Sequence, residues 1–108
     1  MMSQKTITIV NDFSKKPYGR YEIDGDGNGE RFRKKLLAPA LREFDHVIVD
    51  LTGYNRYGRS FIDESFGGLI RYEGFTKKQL EEKLTYKHND LPSIILLIDE
   101  RINAAASV

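Results

Sequence analysis

The side chains best placed to do chemistry stand in one short run, Ser60-Phe61-Ile62-Asp63-Glu64-Ser65, where two hydroxyls and two carboxylates open a helical segment. A serine near a helix start can accept a phosphoryl group, because the unpaired amides and the dipole of that end favour the added negative charge. Ser60 is the better phosphoacceptor candidate: Arg56 and Arg59 place cations beside it, whereas Ser65 falls within the apolar arc and would bury a dianion. The same residues also have a purely structural use. Ser60 and Asp63, three apart, form a pair of the capping-box type, with Asp63 an alternative cap and Ser65 a small packing residue.

Asp63 and Glu64 are adjacent, so on an α-helix their side chains diverge by about 100° and do not suggest a shared carboxylate site. His46 stands beside Asp45 at the start of a strand, and His88 sits in a charged turn; neither is spaced to pair with a nucleophile or a metal. Reaction centres need two or more convergent ionisable groups. The sequence therefore argues for a protein that is not an enzyme, with no metal site and no cofactor.

A second candidate is Asp24-Gly25-Asp26-Gly27-Asn28-Gly29, which copies the first half of an EF-hand calcium loop. The twelfth position, which should supply a bidentate Glu, is Lys35, and the flanks are a strand and one helix where two helices are required. A glycine-rich turn feeding a helix capped by Asn28 is the simpler reading. An alternative use is a small-anion or nucleotide site, with the amides of Gly25, Gly27 and Gly29 at the helix start and Arg20, Arg31 and Arg33 adding charge. The stretch lacks the ending of a P-loop, and Glu30 stands where a dinucleotide fingerprint needs its third glycine.

The third is Tyr54-Asn55-Arg56-Tyr57-Gly58-Arg59, which interleaves aromatic and cationic side chains as surfaces that stack on single-stranded bases or grip a protein do. A net charge of +1 and the lack of any nucleic-acid motif argue against nucleic acid and for a protein partner. Tyr54, Arg56, Tyr57, Arg59, Asp63 and Glu64 are the partner-binding candidates. The other basic run, Arg31, Arg33, Lys34 and Lys35, reads as the solvated flank of a helix.

The elements that must position these groups follow from periodicity. Residues 6–10 alternate polar and β-branched apolar side chains, as a half-buried strand does, and residues 21–23 read as a short second strand. Phe32, Leu36, Leu37, Ala40, Leu41 and Phe44 recur at helical spacing, predicting a helix over 29–44 that Pro39 should bend. Residues 47–51 have no alternation, as in a central strand covered on both faces. A second helix starts near Ser60, and its Gly67-Gly68 pair implies a close backbone neighbour. Thr76 caps a third helix over 77–87. Residues 93–98 read as another buried strand, followed by a frayed terminal helix over 100–106. Strands joined by helices imply crossovers and a largely parallel sheet.

Gly19-Arg20, Gly29-Glu30-x-Phe32-Arg33, Leu36-Leu37-x-Pro39-x-Leu41, the strand at 47–51 and Ser60-Phe61-x-Asp63-Glu64-x-Phe66-Gly67-Gly68-Leu69 together resemble a STAS-like family of bacterial proteins. That family is related to the STAS domain of anti-sigma factor antagonists. The resemblance implies an α/β fold with a small mixed, largely parallel sheet of about four strands and helices mainly on one face. It also implies a regulatory role: in the antagonists a serine at the start of the helix after the central strand is phosphorylated by a partner kinase. Ser60-Phe61-Ile62-Asp63 is similar to the antagonists' local pattern, but their acceptor position falls on Glu64, which cannot be phosphorylated. The partner implied is a kinase-like ATPase of the anti-sigma type, with the charge at Glu64 or a phosphate on Ser60 setting affinity.

Composition sets the outer bounds. A chain of 108 residues with 40% apolar and twelve aromatic residues suits one domain, residues 1–108, with a core of ordinary size. It has no cysteine, which rules out disulfides and thiolate chemistry and fits a reducing cytoplasm. Residues 1–5 lack the apolar core of a signal peptide, and the longest apolar run, residues 94–98, is too short to span a bilayer. The expectation is a cytoplasmic protein without a membrane segment.

Overall fold

The unalternating run around Val47 forms the middle strand of a three-stranded sheet in the computed structural model, which describes residues 3–107. Met1 and Met2, part of the N-terminal segment read above, lie outside the described residues. The strands are β1 (Gln4–Thr8), β2 (His46–Asp50) and β3 (Leu84–Lys87), ordered β1-β2-β3. Both pairings are parallel, with Gln4 opposite His46 and Val47 opposite Leu84. Parallel neighbours need crossovers. A one-turn α1 (Ile9–Asp12) and α2 (residues 29–43) lead to β2; α3 (residues 59–71) and α4 (Lys77–Lys83) lead to β3; α5 (Pro92–Ala106) ends the chain. Among the described residues no helix is long and apolar enough to cross a membrane.

Ile7, Val47, Val49 and Leu84 are buried under the helices, while Thr6, Ile48 and Thr85, one residue out of phase, keep exposed surface. The sheet is thus packed on one face, not on both as the apolar run suggested. Three strands replace the expected four, and two of the assignments change. Tyr21-Glu22-Ile23 makes no strand, because the Asp24 carboxylate accepts from the Arg20 and Tyr21 amides at 2.9 and 3.0 Å and winds Glu22–Asp24 into a 3₁₀ turn. Residues 93–98 are helical: Pro92 occupies the first turn of α5, and Ile94, Ile98, Ile102 and Ala105 line one buried face at helical spacing. The third helix stops at Lys83, where Leu84-Thr85-Tyr86-Lys87, rich in β-preferring residues, becomes β3.

Asn28 caps α2 as expected, its side chain accepting from the Arg31 amide at 2.8 Å, and Thr76 with Gln79 forms a capping box on α4. Both long helices contain a π turn, Arg33–Leu37 in α2 and Asp63–Gly67 in α3. In α2 the Ala38 amide donates to the Arg33 carbonyl, five residues back. The next residue, Pro39, has no N–H to give, and its ring would crowd the Lys35 carbonyl of a regular helix, so the wider turn takes up the expected bend. α2 and α3 cross at Gly29, where a Cβ would stand 2.7 Å from the Phe61 carbonyl oxygen. Phe13, Phe32 and Phe61 seal that crossing with ring centroids 5.3 and 5.9 Å apart.

Candidate functional site

The crossing of α2 and α3 encloses a lattice of charges. Arg33, 1% exposed, points from the π turn of α2 into that of α3. Its Nη1 donates to the Glu64 carboxylate at 2.7 Å and to the Glu64 carbonyl at 2.8 Å, and its Nε to Glu73 at 3.0 Å. Arg20 Nη1 donates to both Asp63 (2.8 Å) and Glu64 (3.1 Å). Arg71 holds Asp63 from two turns further along α3 at 2.7 Å, Arg101 of α5 approaches it at 3.4 Å, and Arg42 holds Glu73 at 2.9 Å. Five guanidinium groups thus converge on three carboxylates.

Burial by itself favours neutral carboxyls, raising Asp63 and Glu73, but the hydrogen bonds from Arg20 and Arg71 to the one, and from Arg42 and Arg33 to the other, outweigh it and hold both below the ordinary carboxylate range. The Arg33 guanidinium shows the converse: burial pulls it down, and its bonds to Glu64 and Glu73 carry it above the usual value. The Gly67-Gly68 pair makes room for this lattice. A Cβ on Gly68 would collide with the Arg33 guanidinium, and one on Gly67 would lie 3.0 Å from Arg71 Nη2. The close neighbour inferred for the two glycines is therefore an ionic side chain and not a backbone.

These positions correct three expectations. Glu64 is 1% exposed and Asp63 is buried, so neither presents its charge to a partner. Their divergence on the helix is bridged by Arg20, which reaches both. Arg33 is internal, although its neighbours Lys34 and Lys35 are exposed. A signal for that was present: Gly29, Arg33, Leu37 and Leu41 recur every four residues on the buried side of α2. Glu73, Arg42, Arg71 and Arg101 were not anticipated, because the contacts that define them cross the fold.

The first turn of α3 faces the other way. Its N-cap is Gly58, with no side-chain cap, so the expected Ser60–Asp63 capping pair does not form. Ser60 and Arg56 are exposed and the Arg59 side chain is 67% exposed. Tyr57 departs from the expected contact role. It is 6% exposed, packed edge-on against Tyr54 at 5.0 Å and near Phe61 at 5.7 Å, and burial pushes its phenol well above the ordinary value. Tyr54, half-buried, has its carbonyl 2.9 Å from His88 Nε2. His88 Nδ1 accepts from the Asp90 and Leu91 amides, both at 3.1 Å, which assigns the proton to Nε2. The loop is thus pinned from below while its arginines stay on the surface.

A cleft of about 350 Å³ separates this turn from residues 18–24, with Arg59, Ser60 and Phe61 on one bank and Tyr18, Arg20 and Asp24 on the other. Ser65 is fully buried, its Oγ 3.5 Å from the Gly29 carbonyl oxygen, and is closed to any modifying enzyme. The glycine-rich turn does not gather an anion site. The Gly25 amide donates to the Glu22 carbonyl at 3.2 Å and the Gly29 amide to the Gly19 carbonyl at 2.9 Å. Gly27 lies under the chain, where a Cβ would be 2.5 Å from the Lys16 carbonyl oxygen. Arg20 and Arg33 are both committed to carboxylates.

A family model described as a STAS-like domain of unknown function (DUF4325) matches residues 28–93, from the Asn28 cap to the start of α5. No curated protein and no solved structure matches the chain.

Proposed function

The chain belongs to the STAS-like family, and on that premise we propose that it is a non-catalytic regulatory domain that docks a protein partner on the surface around the 54–59 loop and the first turn of α3. The observation that carries this reading is the exposed strip of Arg56, Arg59 and Ser60, backed by buried Tyr57 and divided from Tyr18 by the cleft. Arginine and tyrosine are the residues that dominate binding energy at protein interfaces, and a pinned support lowers the ordering cost of association. The charge of the strip fits a partner that offers carboxylates. A kinase-like ATPase of the anti-sigma type is the partner that the family likeness suggests.

Glu64 has an indirect part in this reading. With Asp63 it is the counter-ion of Arg20, which stands on the far bank of the cleft, so the carboxylates shape the docking surface without touching the partner. Ser60 is the accessible hydroxyl on the strip, and a phosphate there would add about two negative charges between Arg56 and Arg59. The same arrangement supports the non-catalytic part of this reading. Carboxylates held ionised by guanidinium groups are poor proton donors at neutral pH, and both histidines are engaged within the fold.

Affinity for the purified partner tests the proposal. Arg59→Glu and Ser60→Asp should each weaken binding by about tenfold or more, since the one reverses a charge and the other adds a negative one facing the partner's carboxylates. Lys34→Glu, on α2 outside the strip, serves as the control and should bind as wild type does. Equal affinity of all three variants contradicts the docking surface.

A further inference from the structure

Arg33 is the most deeply enclosed guanidinium of the lattice, and one edge of it has no partner. Its side chain is 2% exposed, against between 16% and 54% for those of Arg20, Arg42, Arg71 and Arg101, whose free nitrogens water can serve. Nη1 of Arg33 donates to Glu64 and Nε to Glu73, while Nη2 meets no acceptor among the described residues. A buried donor left unmet calls for a partner. The buried side-chain atoms that lack both a partner and exposed surface are the Tyr57 hydroxyl and Arg101 Nε, which no ligand can reach. Nη2 of Arg33 is not among them and keeps an opening.

That opening is a cleft of about 310 Å³. Arg33 and Glu64, both buried, are its floor, and the exposed Tyr21 and Tyr72 stand at its sides with Glu30 and Lys34, an ion pair at 3.3 Å. The Tyr72 ring centre lies 5.0 Å from the Arg33 guanidinium carbon, so it covers a face of the cation and leaves the Nη2 edge to the cleft.

We propose that this cleft binds a small monocarboxylate, with its oxygens on Arg33 Nη2 and a planar or apolar body against Tyr21 and Tyr72. A concave site with aromatic sides and a single well-placed polar group at its base has the make-up of a small-molecule site, and its volume is at the lower end of their range. Charge selects an anion. The lattice sets five guanidinium groups against three carboxylates, and adding the exposed Glu100 beside Arg101 still leaves a positive charge over; Glu30 and Lys34 offset each other. A desolvated guanidinium makes its strongest hydrogen bonds to an ionised acceptor. A dianion such as phosphate is the poorer ligand, because the Glu64 carboxylate, 2.7 Å from Nη1 of the same guanidinium, repels a second negative charge. Arg56, Arg59 and Ser60 do not line this cleft, so the site stands whether or not that strip docks a protein.

Titration of the ¹⁵N-labelled chain with benzoate and with hexanoate, a planar and a flexible probe, tests this. At least one should saturably shift the Arg33 side-chain N–H signals together with the amides of residues 30–34 and 72–73. Benzamide, which keeps the shape and loses the charge, should bind about tenfold or more weakly than benzoate. Because Arg33 is part of the framework, the variant belongs at the mouth: Tyr72→Ala, at an exposed position, should weaken the better probe by about fivefold or more through loss of the aromatic side. No saturable shift with either probe, shifts confined to residues 18–20 and 56–60, or equal binding of benzamide and benzoate overturns the proposal. Inorganic phosphate binding as tightly as the carboxylates would also overturn it.

Discussion

Arg59 and Ser60 stand one helical turn from Asp63 and Glu64, yet the two turns of α3 have opposite fates. The first is solvated, with Arg59 reaching only a loose 3.8 Å ion pair to Glu100. The second is enclosed, with each carboxylate meeting at least two guanidinium groups. An exposed pair adds about 0–1 kcal/mol, whereas removing one member of a buried pair strands the other and costs about 3–5 kcal/mol. Charges four residues apart thus divide into framework and contact surface, and the division is set by desolvation, not by residue type.

The largest effect should come from Arg33→Met, which leaves Glu64 and Glu73 without their shared partner. Denaturant unfolding should show a loss of about 3–5 kcal/mol, partly restored when Glu64→Leu is added so that no charge is left stranded. A loss below about 1 kcal/mol would remove the lattice from the framework. Gly68→Ala comes next. It gains about 1 kcal/mol of helix propensity but drives a methyl into the Arg33 guanidinium, so a net loss of about 1–2 kcal/mol is expected, and a stabilised variant would show that the lattice yields freely.

Acid should act on the framework and not on the strip. The folded Asp63 and Glu73 carboxyls lie below their unfolded values, so as pH falls the unfolded chain takes up protons first. Their stabilisation is complete above the unfolded values of about 4 and is lost as pH drops through the folded ones. Stability of Asp63→Asn, measured from neutral pH downward, should fall less steeply than that of wild type; parallel curves would contradict the assignment. The smallest stability effect belongs to Ser60→Ala and Arg59→Ala, each within about 0.5 kcal/mol by thermal unfolding, since both side chains are exposed and neither caps α3.

What the sequence disclosed tracks how local each determinant is. Asn28 and Thr76 announce helix starts through bonds to residues three positions on, and β2 declares itself by an unbroken β-branched run. Residues 93–98 misled because five consecutive apolar residues carry no period, and the helical spacing emerges only when Ile102 and Ala105 are included. β3 was hidden by the helix that runs directly into it, with Leu84 ending α4 and opening the strand. At the site, Ser60 and Arg59 were recognisable as surface groups from their polar neighbours. The role of Glu64 was not, because its partners Arg20 and Arg33 are 44 and 31 residues away and only the crossing of α2 and α3 joins them.

Hydrogen exchange on the complex with its partner is the most direct measure of where the chain is used. Docking on the first turn of α3 predicts slowed exchange at residues 55–61 and on the facing bank at 18–20, with the amides of the π turn at 63–67 unchanged because they are already enclosed. Protection confined to the open face of the sheet, with residues 55–61 exchanging as in the free protein, would contradict it.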